Sequence, residues 1–333
     1  MLEHGGALRE AAQRYGIPLE NWLDLSTGIN PLPWQGAPPA WAAWTRLPEA
    51  DDGLAEAAQA CYGAPHALPV AGSQAAIQAL PLLREPCRVG ILTPAYAEHA
   101  HAWRRAGHHV TPLAADQLDA AADFDVLVLG NPNNPTGQTF APATLLGWHD
   151  RLARRGGWLV VDEAFSDATP EASLAAVSNR PGLIVLRSLG KFFGLAGARV
   201  GFVLAEAALL HRLAEPLGPW CIAGPARAIA KQALSDRDWQ VATRARLRDD
   251  STRLADLLTR HGLPPGGACA LFQWVETPAA QHRHAALAQT GILTRLFAQP
   301  ASLRFGLPET PAQWQRLEFA LSNLDNATLR RLG

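Results

Sequence analysis

The chain has 333 residues, 48% of them apolar and 18% charged, which predicts one large or two medium globular domains with substantial cores. The formal net charge is −1, and both signs are spread along the chain, so the charge pattern gives no indication of a nucleic-acid partner. The sequence has no apolar run of about 18 residues, no signal pattern and no metal-ligand spacing among its cysteines and histidines. We therefore expect a cytoplasmic protein with reduced thiols, no membrane partner and no metal site.

The first part of the chain combines short helical patterns with segments rich in proline, glycine and tryptophan. Apolar spacing predicts helices over Leu8–Tyr15 and Asp52–Tyr62. Between them, Asp24–Pro31 is typical of an extended stretch closed by a turn. The apolar run Leu68–Ala71 then leads into three small or polar residues that open a helix, Gly72, Ser73 and Gln74. Such a helix start leaves backbone N–H groups that suit a phosphate, although many helices that bind nothing begin in the same way.

Strands and helices alternate regularly between residues 89 and 161. Apolar runs predict strands at Val89–Thr93, Val110–Leu113, Val126–Gly130 and Trp158–Val161. Helical spacing predicts helices at Tyr96–Ala106 and Leu145–Arg155. This alternation predicts an α/β fold built on a doubly wound, mostly parallel sheet. In such folds ligands bind beyond the carboxyl ends of the strands.

Two polar segments follow buried strands at those ends. Asn131–Gly137 contains two prolines, a glycine and three asparagines, a composition that fixes an irregular loop and offers directed amides. Asp162 and Glu163 follow the strand Trp158–Val161, where a carboxylate needs a cationic or hydrogen-bonded partner. A protonated pyridine nitrogen would satisfy one of these carboxylates, and a structural ion pair would do so equally well.

The stretch from Val185 to Phe202 has a composition that core packing does not require. It places Lys191 among glycines and phenylalanines between two apolar runs. Partial desolvation there would lower the pKa of the lysine ammonium and make the amine a nucleophile able to form a Schiff base with pyridoxal phosphate (PLP). Ser188 and Arg199 would supply a hydroxyl and a guanidinium for a phosphate. A surface lysine in a glycine-rich loop is the structural alternative.

Beyond Ala205 the chain turns largely helical and then ends in short strands. Gly291–Arg295 and Ser302–Gly306 are each typical of a strand with an inserted arginine. An arginine within an apolar strand is costly unless it meets an anion, so Arg304 is a candidate for binding a carboxylate, with a buried ion pair as the alternative. We expect a large PLP-binding domain over residues 46–225 and a smaller α+β domain over residues 1–45 and 226–333.

Several of these residues stand in an order shared with a known group of enzymes: Gly72-Ser73-Gln74, Tyr96, Asn134, Asp162, Lys191, Arg199 and Arg304. This order resembles the fold-type I PLP enzymes, the aspartate aminotransferase superfamily, over essentially the whole chain. Three further features are the opening His4-Gly5-Gly6, the segment Asp24–Pro31, and Asp162-Glu163-Ala164-Phe165. Through them the sequence looks like the L-threonine-O-3-phosphate decarboxylase group of cobalamin biosynthesis.

The resemblance implies a role for each matching residue. Lys191 would bind the cofactor covalently and move protons, and Asp162 would keep the pyridine nitrogen protonated. Tyr96 would stack on the ring, and Asn134 would hydrogen-bond the ring 3-oxygen. Around the cofactor phosphate the resemblance implies Gly72, Ser73, Gln74, Ser188 and Arg199. On the substrate side it implies Arg304 for the α-carboxylate, and the substrate phosphate is expected at His4, Asn30 and Arg295.

The implied activity is decarboxylation of L-threonine O-3-phosphate to (R)-1-amino-2-propanol O-phosphate by a homodimer. Phe165 stands where aminotransferases usually place a tyrosine that bonds the ring oxygen, which resembles the decarboxylases and argues against a histidinol-phosphate aminotransferase. Leu47-Pro48 replaces a Tyr-Pro that in the superfamily often reaches the partner subunit's cofactor phosphate, so that contact is not implied here. An aminotransferase acting on a phosphorylated amino acid and a non-catalytic PLP-fold binding module are the alternatives.

Overall fold

The chain forms helices and strands along most of its length in the computed structural model, which describes residues 5–332, without the side chains of residues 120–122 and 325–332. The strands are β1 (Leu23–Asp24), β2 (Leu68–Val70), β3 (Arg88–Leu92), β4 (His109–Leu113), β5 (Val126–Gly130), β6 (Trp158–Asp162), β7 (Leu183–Ser188), β8 (Gly201–Leu204), β9 (Gly267–Cys269), β10 (Phe272–Glu276), β11 (Ile292–Leu293), β12 (Arg295–Phe297) and β13 (Ser302–Gly306). The α-helices are α1 (Leu8–Tyr15), α2 (Ala42–Thr45), α3 (Leu54–Tyr62), α4 (Ser73–Ala79), α5 (Ala97–Arg105), α6 (Pro142–Ala153), α7 (Ala207–Leu217), α8 (Gly224–Ser235), α9 (Arg237–Arg260), α10 (Ala280–Gln289) and α11 (Pro311–Leu332). Within this range, no helix has both the length and the apolar character that a membrane crossing requires.

The larger of two compact units, residues 33–134 and 139–244, is built on a seven-stranded sheet. Its strand order is β2-β8-β7-β6-β5-β3-β4. The pairings from β7 through to β4 are all parallel, whereas β8 pairs antiparallel with both β7 and β2. The predicted α/β fold with a mostly parallel sheet is therefore confirmed, and the carboxyl ends of β5, β6 and β7 lie side by side.

Apolar side chains on the central strands explain why this sheet forms. β5, β6 and β7 contain runs of valine, leucine and isoleucine that are almost completely buried, as expected of parallel strands covered on both faces. A core cluster joins these strands to α4, α5 and α7 through residues such as Ile77, Trp103 and Leu213. Burial of each large apolar side chain contributes roughly 1.5–3 kcal/mol, so the sheet is a firm support for the polar residues at its edge.

The smaller unit comprises residues 5–32, 135–138 and 245–332 of the described chain and contains an antiparallel sheet of order β12-β13-β10-β9. β1 and β11 form a separate parallel pair. The run Gly291–Arg295, predicted as one strand, is divided, because Ile292–Leu293 pairs with β1 and Arg295 begins the strand that pairs with β13. In the antiparallel sheet Arg295 lies directly opposite Arg304.

The unit boundaries differ from the predicted domain boundaries. Residues 33–45 and 226–244, which were expected in the smaller domain, lie in the larger unit. Hydrogen bonds hold the first segment there, because the Trp34 backbone N–H donates to the carbonyl of Phe193 over 2.9 Å and its indole N–H donates to Asp236 over 3.0 Å. The second segment begins with α8, which packs along α3 and α2. These partners are distant in sequence, so apolar spacing alone does not reveal them.

Candidate active site

Three of the predicted site residues lie where neighbouring parallel strands of the larger unit end. Asp162 is the last residue of β6, Ser188 is the last residue of β7, and Asn134 lies in the loop that follows β5. The carbonyl of Asp162 accepts the backbone N–H of Asn131 over 2.9 Å. The backbone of β6 is therefore held to the neighbouring loop at the point where the Asp162 side chain leaves the sheet.

The Asp162 carboxylate is held by two donors. Its Oδ1 accepts the backbone N–H of Ala164 over 3.0 Å, and its Oδ2 lies 2.9 Å from Nε2 of His99 on α5. The Asp162 side chain is 11% exposed. A buried carboxylate fixed at both oxygens keeps a defined plane, which is what a directed bond to a ring nitrogen requires.

The adjacent carboxylate, Glu163, has a structural partner. Arg187 of β7 is 2.8 Å from Glu163 through Nη1 and 2.8 Å from Asp167 through Nη2, and all three side chains are buried. Burial raises the pKa of both carboxyl groups, and the two carboxylates raise the pKa of Arg187 although burial alone would lower it. The ion pair considered as an alternative for Asp162-Glu163 is thus formed by Glu163, which leaves Asp162 for another role.

Lys191 lies in a loop that aromatic packing fixes. The following residues, Phe192 and Phe193, are 1% exposed, and their rings contact Trp239 at centroid distances of 5.5 and 5.7 Å. Lys191 itself is half-buried, and its Nζ lies 5.4 Å from the ring centroid of Phe165. Lys191 is thus partly enclosed in a packed loop, unlike a lysine on a solvated loop.

Glycines bring the start of α4 close to the Arg199 guanidinium. Gly72 has a φ of 70°, and a Cβ at this position would lie 2.7 Å from Nη2 of Arg199. A Cβ at Gly201 would lie 2.5 Å from the backbone nitrogen of Ser73, and Gly201 pairs with Ser188 across the sheet. Only glycine fits at these two positions. The N–H groups at the start of α4, the Ser188 hydroxyl and the Arg199 guanidinium can therefore come close together, and such a cradle suits a phosphate.

The Gln74 side chain, expected near the cofactor phosphate, contacts Glu98 and Tyr96. Its amide nitrogen donates to Glu98 over 2.8 Å, and its amide oxygen accepts the hydroxyl of Tyr96 over 3.2 Å. Burial, together with the charges of Glu98 and Asp162, raises the pKa of Tyr96 to about 12, so the phenol is protonated at neutral pH. The Gln74 side chain therefore orients Tyr96, the residue expected to stack on the cofactor ring.

Two arginines face each other in the smaller unit. Arg304 is 4% exposed, and its Nη2 donates to the carbonyl of Ser26 over 2.7 Å. Burial, and beyond that the charge of Arg295, lower the pKa of Arg304 to about 10, so it is still cationic at neutral pH. Like charges opposite each other on paired strands repel. An anion between them would be attracted to both guanidinium groups, and the binding of a carboxylate by Arg304 stays a prediction.

Asn30, predicted on the substrate side, is buried and held by an arginine of its own unit. Its Oδ1 accepts a hydrogen bond of 2.7 Å from Nη2 of Arg246 and one of 3.1 Å from the backbone of Leu32. Arg246 also pairs with Asp250 over 3.0 Å. His4 lies outside the described residues, so its predicted role stays a prediction.

Some polar side chains that contact predicted site residues were not themselves predicted, namely those of Glu98, His99 and Arg246. His99 was considered only as a metal ligand, yet it stands three residues after Tyr96, a spacing that places two helical residues on one face. Glu98 and Arg246 gave no such signal, because their partners Gln74 and Asn30 are far away in sequence. Among the described residues, no group of three or more histidines, cysteines and acidic residues could hold a metal ion.

Comparison with known proteins assigns the chain to a family. Residues 22–332 match the description Aminotransferase class I and II. The chain belongs to the aminotransferase class I and II family. A relative from Pseudomonas aeruginosa, a threonine-phosphate decarboxylase, is 62% identical over 322 residues, which cover 96% of this chain and 97% of the relative.

Two solved structures of this aminotransferase fold show why the fold does not decide the reaction. A histidinol-phosphate aminotransferase from Clostridium acetobutylicum matches with a TM-score of 0.82 at 20% identity, over 92% of this chain and 99% of the other. An L-threonine-O-3-phosphate decarboxylase from Porphyromonas gingivalis matches with a TM-score of 0.74 at 20% identity, over 90% of this chain and 98% of the other. Proteins named for two different reactions share this fold, so the reaction is inferred from the residues and from the relative that is 62% identical.

Proposed function

We propose that this aminotransferase-family chain is a PLP-dependent decarboxylase that converts L-threonine O-3-phosphate to (R)-1-amino-2-propanol O-phosphate. The observation that carries the proposal is the 62% identity, over nearly the whole chain, to a threonine-phosphate decarboxylase. At that identity over that length, the side chains around a reaction centre are expected to be shared more fully than in the solved structures at 20% identity.

The residues of the larger unit fit PLP. The cradle that only glycine allows at Gly72 and Gly201 suits the cofactor phosphate, with Arg199 as the cation. Asp162 would offer a fixed carboxylate to the pyridine nitrogen, and Lys191 would offer a half-buried amine beside the ring of Phe165. A protein holds this cofactor through three groups: an anion site, an acceptor for the ring N–H and a nucleophilic amine.

When bound, PLP supplies an aldehyde that condenses with amines and a ring that accepts the electron pair left by the departing CO2. The protein's own residues do the rest. Lys191 would hold the cofactor through Nζ and would move a proton to or from the substrate Cα. Asp162 would accept the ring N–H and so favour the protonated ring, which stabilises negative charge. Tyr96, oriented by Gln74, would cover the ring face.

The substrate carries two anionic groups, and the smaller unit offers two facing cations. We assign the α-carboxylate to Arg304, which is buried and therefore forms the stronger contact. Arg295, which is half-buried, is assigned to the phosphate together with Asn30. A phosphorylated amino acid offers one anionic group to each arginine, whereas an amino acid without a phosphate offers only its carboxylate.

An aminotransferase acting on histidinol phosphate is the second candidate, since a protein of that name shares the fold with a TM-score of 0.82. The two reactions differ in which bond to Cα breaks and in where the proton returns. Phe165, whose ring lies near Lys191, has no hydroxyl to offer the ring oxygen, a departure from aminotransferases that favours the decarboxylase.

The experiment that separates the candidates is product identification with the PLP-loaded protein. Purified protein is incubated with L-threonine O-3-phosphate and, separately, with histidinol phosphate and 2-oxoglutarate. The decarboxylase proposal requires CO2 and 1-amino-2-propanol O-phosphate in the first reaction and negligible glutamate in the second. Lys191→Ala is the control and should lose CO2 release. Glutamate formation would establish the aminotransferase, and a folded, PLP-loaded protein that is inert in both would favour a binding module.

The wider assignment to cobalamin biosynthesis, the cytoplasm and a homodimer is also part of the proposal. None of the four cysteines is in a disulfide, which suits a reducing compartment. Four large apolar residues of the larger unit, Trp41, Trp44, Leu47 and Trp220, are 59–77% exposed, and the homodimer proposal expects a partner chain to cover some of them. A molar mass from light scattering of one chain, rather than two, would contradict the homodimer.

A further inference from the structure

A row of four paired residues crosses the antiparallel sheet of the smaller unit. Arg295 of β12 lies opposite Arg304 of β13. Arg304 also lies opposite Trp274 of β10, and Trp274 lies opposite Gly267 of β9. Residues that are directly opposite each other on antiparallel strands project from the same face of a sheet. Trp274 therefore stands next to Arg304 on the face that carries both arginines.

The indole N–H of Trp274 is buried without an acceptor. Trp274 is 7% exposed, and its Nε1 has no hydrogen-bond partner among the described residues. Trp34 of the larger unit shows the usual arrangement, since its indole N–H donates to Asp236 over 3.0 Å. Most buried polar groups in folded proteins are paired in this way. The Nε1 of Trp274 is thus a donor that remains available to an acceptor from outside the chain.

The position of the indole ring shows on which side Nε1 lies. A Cβ at Gly267 would be 3.7 Å from Cε3 of the Trp274 ring, and a Cβ at Gly266 would be 3.7 Å from Cζ3. The edge of the ring that carries Cε3 and Cζ3 therefore lies against β9. In an indole, Nε1 is on the opposite edge. It follows that Nε1 lies on the side of β13, where Arg304 stands.

The acceptor that best fits this position is an anion bound at Arg304. A carboxylate has two oxygens and about four acceptor positions, so a carboxylate that meets the Arg304 guanidinium can also accept the indole N–H. Arg295 is too far away to share its anion with the indole, because β12 and β10 are two strands apart, a separation of roughly 10 Å. The indole is neutral, so it adds a hydrogen bond at this site without a third positive charge.

We propose that Trp274 is a further substrate-binding residue, whose indole N–H donates to the α-carboxylate held by Arg304. The proposal rests on the proposed function, which assigns that carboxylate to Arg304. It has a consequence for selectivity. Because the product has lost the carboxylate as CO2, it cannot accept this hydrogen bond, so Trp274 strengthens the binding of the substrate and not of the product.

The test uses two ligands that cannot react. 3-Phosphoglycerate has a carboxylate and a phosphate like the substrate, but a hydroxyl stands in place of the amine, so no condensation with the cofactor and no loss of CO2 follows. 2-Hydroxyethyl phosphate is the same molecule without the carboxylate. Isothermal titration calorimetry of the PLP-loaded protein gives the Kd of each ligand.

The variant Trp274→Phe removes the N–H group and keeps an aromatic ring. We expect it to raise the Kd for 3-phosphoglycerate roughly 10-fold, as loss of one hydrogen bond to a charged group predicts, and to leave the Kd for 2-hydroxyethyl phosphate unchanged. Trp314→Phe is the matched control, because Trp314 is a tryptophan of the same unit, is 4% exposed and packs against Arg253 on α9. It should match the unsubstituted protein with both ligands.

Nuclear magnetic resonance gives a direct view of the donor. In protein labelled with 15N-tryptophan, the indole signal of Trp274 is identified by its absence from Trp274→Phe. We expect 3-phosphoglycerate to move this signal to higher 1H frequency, because a carboxylate acceptor deshields the proton, and 2-hydroxyethyl phosphate to leave it in place. If Trp274→Phe does not fold, Trp274→Tyr, whose hydroxyl lies elsewhere on its ring, replaces it in both experiments.

Several results would overturn the proposal. An equal loss of affinity for both ligands in Trp274→Phe would assign Trp274 to packing, and no loss for either would leave it without a role in binding. An indole signal that does not respond to 3-phosphoglycerate, or a protein that does not bind this ligand, would also contradict it. Failure of the proposed function is seen separately, as absence of CO2 release from L-threonine O-3-phosphate, because the titrations require no reaction.

Discussion

Two buried arginines, Arg187 and Arg304, look alike in sequence and differ in their surroundings. Each sits inside a short apolar strand, and they are 2% and 4% exposed. Arg187 lies between the carboxylates of Glu163 and Asp167, each 2.8 Å away, and its pKa is raised. Arg304 donates to a backbone carbonyl and faces Arg295, and its pKa is lowered to about 10.

Arg187 is enclosed by two carboxylates of the fold, whereas burial disfavours the charge of Arg304. Breaking a buried ion pair by removing one member is strongly destabilising, because the other member is left uncompensated. We therefore expect the removal of Arg304 to cost less folding free energy than the removal of Arg187. If Arg304 binds the substrate carboxylate, its removal should be seen mainly in substrate binding.

The largest expected effect is on stability, at Arg187. Arg187→Met leaves Glu163 and Asp167 buried without their cation, and we expect the free energy of unfolding to fall by about 3–5 kcal/mol. Denaturant unfolding followed by circular dichroism measures this. Arg180→Met, which removes an exposed arginine paired with Asp150, is the control and should change the free energy by less than about 1 kcal/mol. If the Arg187 variant is as stable as the control, Arg187 does not stabilise the fold through Glu163 and Asp167.

At Arg304 we expect the larger loss in catalysis. Arg304→Met should lower the free energy of unfolding by less than Arg187→Met does, while kcat/KM for L-threonine O-3-phosphate falls roughly 100-fold or more, as for loss of a buried charge contact. Steady-state kinetics and the same unfolding experiment give both quantities on one sample. A variant that unfolds as readily as Arg187→Met while the surviving protein keeps normal kcat/KM would assign Arg304 to the fold.

Arg295 is half-buried, so its contribution should be smaller and specific to the phosphate. We expect Arg295→Gln to lower kcat/KM for L-threonine O-3-phosphate roughly 10-fold and to leave the slow reaction with L-threonine nearly unchanged. The selectivity between the two amino acids then falls by the same factor. An equal loss with both would show that Arg295 does not distinguish the phosphate.

The smallest expected effect is stabilisation by a simple anion. Inorganic phosphate at about ten times its Kd should raise the free energy of unfolding of the PLP-loaded protein by roughly 1.4 kcal/mol, and by less than half of that in Arg295→Gln. The loaded protein is used because the cofactor then fills its own phosphate cradle. A chloride salt at equal ionic strength is the control, and an equal response in both proteins would place the anion elsewhere.

The role of a residue can be predicted from the sequence when the residues that it contacts lie near it in the chain. The strands β5, β6 and β7 and the polar residues at their ends follow from local apolar runs. The same patterns did not distinguish Asp162 from Glu163 or Arg187 from Arg304, because each member of these pairs is defined by contacts with other strands. His99 was missed for the same reason, since its partner Asp162 is 63 residues away.

The boundaries of the two units were less predictable from the sequence than the helices and strands. Residues 33–45 carry a proline- and tryptophan-rich sequence that does not show which unit they belong to, and hydrogen bonds from Trp34 to Phe193 and Asp236 decide it. Likewise, a single apolar run at Gly291–Arg295 is shared between two sheets, because its two halves find different strand partners. Contacts between residues that are distant in the chain set both outcomes.

The most direct test of the proposed reaction follows the proton that replaces the carboxylate. The PLP-loaded protein is incubated with L-threonine O-3-phosphate in deuterated water, and the product is examined by mass spectrometry and NMR. Decarboxylation with protonation at Cα gives 1-amino-2-propanol O-phosphate with deuterium on the carbon that carried the carboxylate, together with an equal amount of CO2. A phosphorylated 2-oxo acid that keeps its carboxylate, with the amino group transferred away, would contradict the decarboxylase.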